Sequence, residues 1–219
     1  MSGKDRLLLP RHPHYLMRRS ADNQPVFLDE ADRNHCLGDM RELSAKYNLA
    51  MHAYCLLPNG LHVLATPRGD PNALSWFMKA LSCRATLRRK NLHGRDSVWE
   101  ARYRSSPIEP SQWLLTCMCY IERLPVTREL APSAYHYQRS SYRMRLGKTG
   151  PYWLADPEEY TRLGSTLEER ADSYRMYMSN GLDTNDERAI EAAVKQCKLI
   201  GSVRFIQEVC RRYGLQGGK

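Results

Sequence analysis

The sequence predicts an α+β fold: an antiparallel sheet of four or five strands, with helices packed mainly on one face, followed by a helical C-terminal extension. Three observations carry this reading. Two runs rich in β-formers, residues 50–57 and 61–66, flank a Pro58-Asn59-Gly60 corner, which is the sequence form of a β-hairpin. Stretches with apolar residues at helical spacing stand between the extended runs, so strands and helices mix along the chain. At 219 residues the chain is long enough to bury a sizeable core, as one domain or as one domain with an appendage.

In order, residues 12–19 read as a first strand. Asp29 is placed to cap a helix running to Tyr47, with Leu37, Met40, Leu43 and Tyr47 on its buried side. The hairpin follows, and period-2 alternation puts Gly60, His62 and Leu64 on one face and Leu61, Val63 and Ala65 on the other. A helix over 72–89 carries Leu74, Phe77, Met78, Leu81, Ala85 and Leu87, mostly a core stripe. Its later turns and the loop beyond are strongly basic. Residues 99–106 predict a strand. Ser111 then caps a helix that buries Trp113, Leu114, Cys117, Met118, Ile121 and Leu124 and is limited by Pro125.

Residues 10–130 form the first predicted unit, and residues 131–219 the helical extension. Tyrosines concentrate in the extension, where they suit packing on the sheet, and helices are expected over 156–163, 166–178, 183–197 and 203–213. Thr166 and Glu169 stand at capping-box spacing, and Gly214 ends the last helix. Lys195, Lys198, Arg204, Arg211 and Arg212 offer phosphate contacts.

The net charge of +9, from 33 Lys and Arg against 24 Asp and Glu, favours a polyanionic partner. The seven cysteines include no C-x-x-C pair, which suits buried thiols in a reduced, cytoplasmic compartment. No stretch approaches the ~18 consecutive apolar residues of a membrane span, and no secretory signal opens the chain, so no membrane is expected. The sequence leaves monomer and dimer equally open.

The run Ala53-Tyr54-Cys55-Leu56-Leu57-Pro58-Asn59-Gly60-Leu61-His62-Val63-Leu64 resembles the hairpin of the single-tyrosine HUH transposases, in particular the REP-associated tyrosine transposases. Further matches follow in that family's order: Val98 to Ser106, Trp113-Leu114-Leu115-Thr116-Cys117, Tyr120-Ile121-Glu122-Arg123-Leu124-Pro125-Val126, and Arg139-Ser140-Ser141-Tyr142. The resemblance implies the ferredoxin-like HUH fold and a tyrosine that attacks a single-stranded DNA phosphodiester, forming a 5′-phosphotyrosine. It implies a divalent ion, Mg or Mn, held by two histidines one residue apart on a strand and by a polar residue on the tyrosine helix. Tyr120 takes the nucleophile's position and His62 that of one metal ligand. The other two ligand positions fall on Gly60, which has no side chain, and Leu124, which has no donor atom. One imidazole does not hold a catalytic ion, because such sites need several donors in fixed geometry.

The expectation is therefore a transposase-like protein that recognises single-stranded, hairpin or palindromic DNA, with impaired catalysis and a regulatory or architectural use. The DNA-facing set is read as Lys79, Arg84, Arg88, Arg89, Lys90, Arg95, Trp99, Arg102, Tyr103 and Arg104, because guanidinium groups grip phosphates and aromatic rings stack on bases. The alternative is an active nickase acting through Tyr120, with replacement ligands drawn from His52, Asn59 or Glu122. A third reading is an interaction module whose basic face meets an acidic protein.

Overall fold

A computed structural model describes residues 6–215. The elements run β1 (His14–Arg19), α1 (Glu30–Lys46), β2 (Leu49–Leu57), β3 (Gly60–Pro67), α2 (Ala73–His93), β4 (Arg104–Pro107), α3 (Gln112–Thr127), α4 (Tyr142–Arg145), α5 (Glu158–Thr161), α6 (Leu167–Asn180), α7 (Thr184–Gln196) and α8 (Val203–Tyr213). Short 3₁₀ turns at Ala21–Asn23 and Ala134–His136 complete them. The sheet has four antiparallel strands in the order β2-β3-β1-β4. This is the α+β class the sequence predicts, with a helical C-terminal part.

Local chemistry explains most boundaries. The Asp29 carboxylate caps α1 by accepting from the Asp32 N–H at 2.7 Å, and Gly94 ends α2 in the left-handed region at φ 60°. Thr166 and Glu169 close a complete capping box on α6. Pro125 lies inside α3 rather than at its end. It sits in the last turn, so the helix forfeits one hydrogen bond there and continues to Thr127.

The predicted strand over 99–106 is broken. Val98 and Glu100 bond to Ala21 and Arg19 along the extension of β1, residues 101–103 leave the ladder, and β4 begins at Arg104. A second irregularity falls in β2, where the pairing with β3 shifts between Met51 and Ala53, leaving His52 as an extra residue. The bulge reverses the alternation, so Met51 and Ala53 belong to opposite faces of the sheet.

The expectation of helices mainly on one face is corrected by the packing. Leu16, Leu56, Leu61 and Val63 meet α1 and α2 through Met40, Leu43, Leu74 and Phe77. Tyr15, Cys55 and Leu64 meet α3 through Cys117, Met118 and Ile121, and the same cluster takes in Tyr160, Tyr174, Ile190 and Val194 from the C-terminal helices. The strands are apolar on both sides, and each face needs its own cover. Fully burying each large apolar side chain contributes about 1.5–3 kcal/mol.

Segments C-terminal to α3 also close both sheet edges. Residues 139–141 bond to the free edge of β2, Leu56 N–H to Arg139 O at 2.8 Å and Ser141 N–H to Tyr54 O at 3.0 Å. Ile200 bonds beside β4, donating to Pro107 O at 2.9 Å and accepting from Glu109 N–H at 2.8 Å. Unpaired edges invite association, and here they are occupied.

Candidate functional site

β1 and β3 are neighbours, with Met17 opposite His62 and Tyr15 opposite Leu64. Tyr15 and His62 therefore share a face, and the Tyr15 hydroxyl lies 2.7 Å from His62 Nδ1. Tyr120, delivered by α3, stands edge-on to Tyr15 with ring centroids 6.1 Å apart. The three rings form one contiguous group of which His62 is 4% exposed. Burial pushes the His62 pKa down to about 3, with Arg128 and Arg19 adding to the effect, so the ring is neutral at pH 7. Burial and the nearby Glu191 push the Tyr120 hydroxyl up to about 12, against a smaller opposing pull from Arg128. A tyrosine activated for attack needs the opposite shift.

A divalent ion does not fit this group. A Cβ built on Gly60 would stand 2.5 Å from the Arg18 carbonyl oxygen, so the strand approach that places His62 leaves no room for a side chain at the first ligand position. Leu124 is buried and apolar. His62 has one nitrogen engaged by Tyr15, leaving at most one for a metal. The replacement ligands are committed elsewhere. His52 holds Ala155 O and Thr66 Oγ1 at 2.8 Å each, Asn59 Nδ2 bonds to Asn23 Oδ1, and Glu122 is sealed in the interior.

Glu122 belongs to a polar network that the sequence did not foreshadow. Its carboxylate accepts from Ser141 Oγ and from the Tyr174 hydroxyl at 2.8 Å, and lies 3.5 Å from Arg145 Nε. Both charged partners are fully buried, and the Arg145 guanidinium lies over the Tyr160 ring at 4.5 Å. Burial raises the Glu122 pKa above the ordinary carboxylate range, opposed by Arg145 and by the hydroxyl donors.

One group of three metal-type side chains occurs among the described residues, Asp29, Asp32 and His93, at the junction of α1 and α2. Its carboxylates are engaged. Asp29 caps α1, and Asp32 accepts from Arg88 Nε at 2.9 Å, from Leu28 N–H at 3.0 Å and from His93 Nε2 at 3.2 Å. It is a helix-junction clasp, separate from Tyr120.

The basic residues of α2 divide into two sets. Arg84 pairs with Asp39 and Glu42 on α1, and Arg88 pairs with Asp32. Arg89 is buried and donates to the carbonyls of Pro25, Val26 and Asp96. Lys79 and Lys90 instead line a groove of about 610 Å³, together with Arg102, Trp99 and Tyr103. Arg6 and Arg18 join them, giving five cations and, among the described residues, no carboxylate in the lining. Trp99 carries the Arg18 guanidinium at 5.5 Å, and Phe27 meets it edge-on. Tyr103 is a buried wall, its hydroxyl 2.7 Å from Ser75 Oγ and its ring covered by Arg6 at 4.0 Å. Arg104 pairs with Glu100 at 3.3 Å, and Arg95 borders a smaller hollow beside Arg89. Sequence reasoning missed Arg6 and Arg18, which approach the groove from the N-terminal segment and β1, and Tyr15, whose pattern marks it only as a strand residue.

No known family profile matches the sequence, and no curated protein sequence matches it. Among solved structures, a REP-associated tyrosine transposase bound to a REP hairpin is similar with a TM-score of 0.58 over 71% of this chain and 93% of its own, at 15% identity. The chain has the REP-associated tyrosine transposase fold. A crystal structure of a candidate transposase from Deinococcus radiodurans, 16% identical over 59% of this chain and 95% of its own, has a TM-score of 0.37, too low to bear on the fold.

Proposed function

We infer that the chain is a DNA-binding member of the REP-associated tyrosine transposase family that recognises hairpin or palindromic DNA without cleaving it, serving a regulatory or architectural role in the cytoplasm. The observation that carries this reading is the pairing of a cationic groove, lined by no carboxylate among the described residues, with a tyrosine site closed by Gly60, Leu124 and the Tyr15 hydroxyl. Lys79, Lys90 and Arg102 are exposed at the groove and supply phosphate contacts, while Arg18 is held against Trp99. The fold shared with a hairpin-bound transposase supports a structured DNA element as the partner.

The test is incubation with labelled hairpin DNA in Mg²⁺ or Mn²⁺, read on native and denaturing gels beside Tyr120→Phe. A retarded complex without a covalent adduct is the expected result. A Tyr120-dependent adduct would establish an active nickase instead, and equal binding to an acidic protein and to DNA would replace the reading with a protein-interaction module.

A further inference from the structure

A second basic hollow lies beside β2, between α1 and α4. It has a volume of about 380 Å³, within the range of about 300–1,000 Å³ typical of small-ligand sites. Three guanidinium groups from separate segments meet there: Arg41 from α1, Arg139 from the strap along β2, and Arg143 from α4. Among the described residues, no carboxylate lines it. One wall is an aromatic stack, Tyr54 and Trp153, with ring centroids 5.5 Å apart and planes 9° from parallel.

A solvated basic face is the simpler account of scattered arginines, and Arg139 fits it in part, since it bonds to Glu30 and to Asn34 Oδ1 at 2.8 Å. Arg143 is half-buried, lines the hollow and has no carboxylate partner among the described residues, its guanidinium lying over the Tyr135 ring at 5.2 Å. A guanidinium not matched to a carboxylate has its charge free to meet a phosphate. Arg41 is exposed at the mouth and Gly38 beside it is open, since a Cβ there would meet nothing within 4 Å.

We propose that this hollow binds a nucleotide phosphate, with Arg143 and Arg41 gripping the phosphate and the Tyr54–Trp153 wall bordering the ring. Arginine suits the task because its planar fork matches phosphate oxygens and lies flat on aromatic surfaces. The nucleotide is either free in solution or the phosphorylated end of a DNA strand, and both present the same chemistry. Neither Arg41 nor Arg143 lines the first groove, so the site stands independently of hairpin recognition.

Isothermal titration of the full chain with 2′-deoxyadenosine 5′-monophosphate, with inorganic phosphate and with a 5′-phosphorylated single strand tests the assignment. Gly38→Glu is the decisive variant: it sets a carboxylate at the mouth, in open space, at a helix position where losing glycine favours folding. Expected is saturable binding of the mononucleotide or the phosphorylated strand, abolished in Gly38→Glu and weakened about tenfold in Arg143→Ala, the loss of one charge-assisted contact. Lys79→Ala, in the first groove, leaves it unchanged. Binding by the mononucleotide identifies a free ligand, and binding by the strand alone identifies a DNA end. No binding by the parent chain, or equal binding by Gly38→Glu with an unchanged denaturation midpoint, overturns the proposal. So does binding of an acidic peptide but of no nucleotide. Hairpin affinity, read on the same samples, reports separately on the first groove.

Discussion

The Tyr120 face and the α2 groove are built from similar residue types and have reached opposite states. At Tyr120 the aromatic and imidazole side chains turn on one another: Tyr15 engages His62, Tyr120 stands against Tyr15, and burial holds the histidine neutral and the phenol protonated. At α2 the aromatic side chains are fixed as walls while lysines and Arg102 project into solvent. The first region is enclosed, with His62 buried and Tyr120 half-buried against the core. The second has kept an unbalanced charge, which is costly to fold and useful only when a polyanion arrives.

The largest effect that can break this contrast comes from Gly60→His, which writes a histidine into the vacant ligand position. The new Cβ collides with the Arg18 carbonyl, so β1 and β3 separate and stability falls by about 3 kcal/mol, seen as a lower urea midpoint. A variant that folds like the parent and cleaves DNA in Mn²⁺ would show that the site is open after all.

Acid comes next. His14, His52 and His62 have folded pKa values lowered by burial to about 4, about 4 and about 3. The unfolded chain takes up protons near pH 6.5 and the folded chain does not, so stability is present above about 6.5 and is lost as pH falls toward 4. Each pKa unit is worth about 1.4 kcal/mol, and the decline should amount to several kcal/mol by pH 4.5. A denaturation midpoint flat between pH 7 and 4.5 would mean that these rings are solvated.

On the groove side, replacing Lys79, Lys90 and Arg102 together by alanine should lower the slope of log affinity for hairpin DNA against log salt by about 2–3 and leave the thermal midpoint in place. Arg84→Ala is the matched control: its guanidinium is spent on Asp39 and Glu42, so the salt slope stays as it is. If Arg84 moved the slope as much as Lys79 does, the division of the helix into two sets would fail. The smallest expected effect is that of Tyr120→Phe, which should change hairpin affinity by less than about twofold, because the residue is half-buried against the core and does not line the groove.

Legibility differed along the chain for identifiable reasons. Caps and turns were readable because they depend on neighbours in sequence: Asp29, Thr166 with Glu169, Pro58-Asn59 and Gly214 all act over a few residues. The break at residues 101–103 was not, because the strand leaves the ladder where β1 runs out and the 3₁₀ turn at Ala21–Asn23 takes over the pairing. The bulge at His52 and the burial of Glu122 were equally hidden, since each depends on partners, Ala155 and Arg145, about a hundred and about twenty residues away. In the basic run, composition supplied the charges but not their destinations.

The sequence alone determined the α+β class and the hairpin, with His62 on its second strand and Tyr120 on a helix, because strand period and helix period are local properties. Only the tertiary structure decided that both sheet faces are covered, that Gly60 is held against a carbonyl, that Arg84, Arg88 and Arg89 serve the fold, and that Arg6 and Arg18 join Lys79 in one groove. Those outcomes are set by which surfaces meet, and a side chain's charge or ring says nothing of its partner until the chain has closed around it.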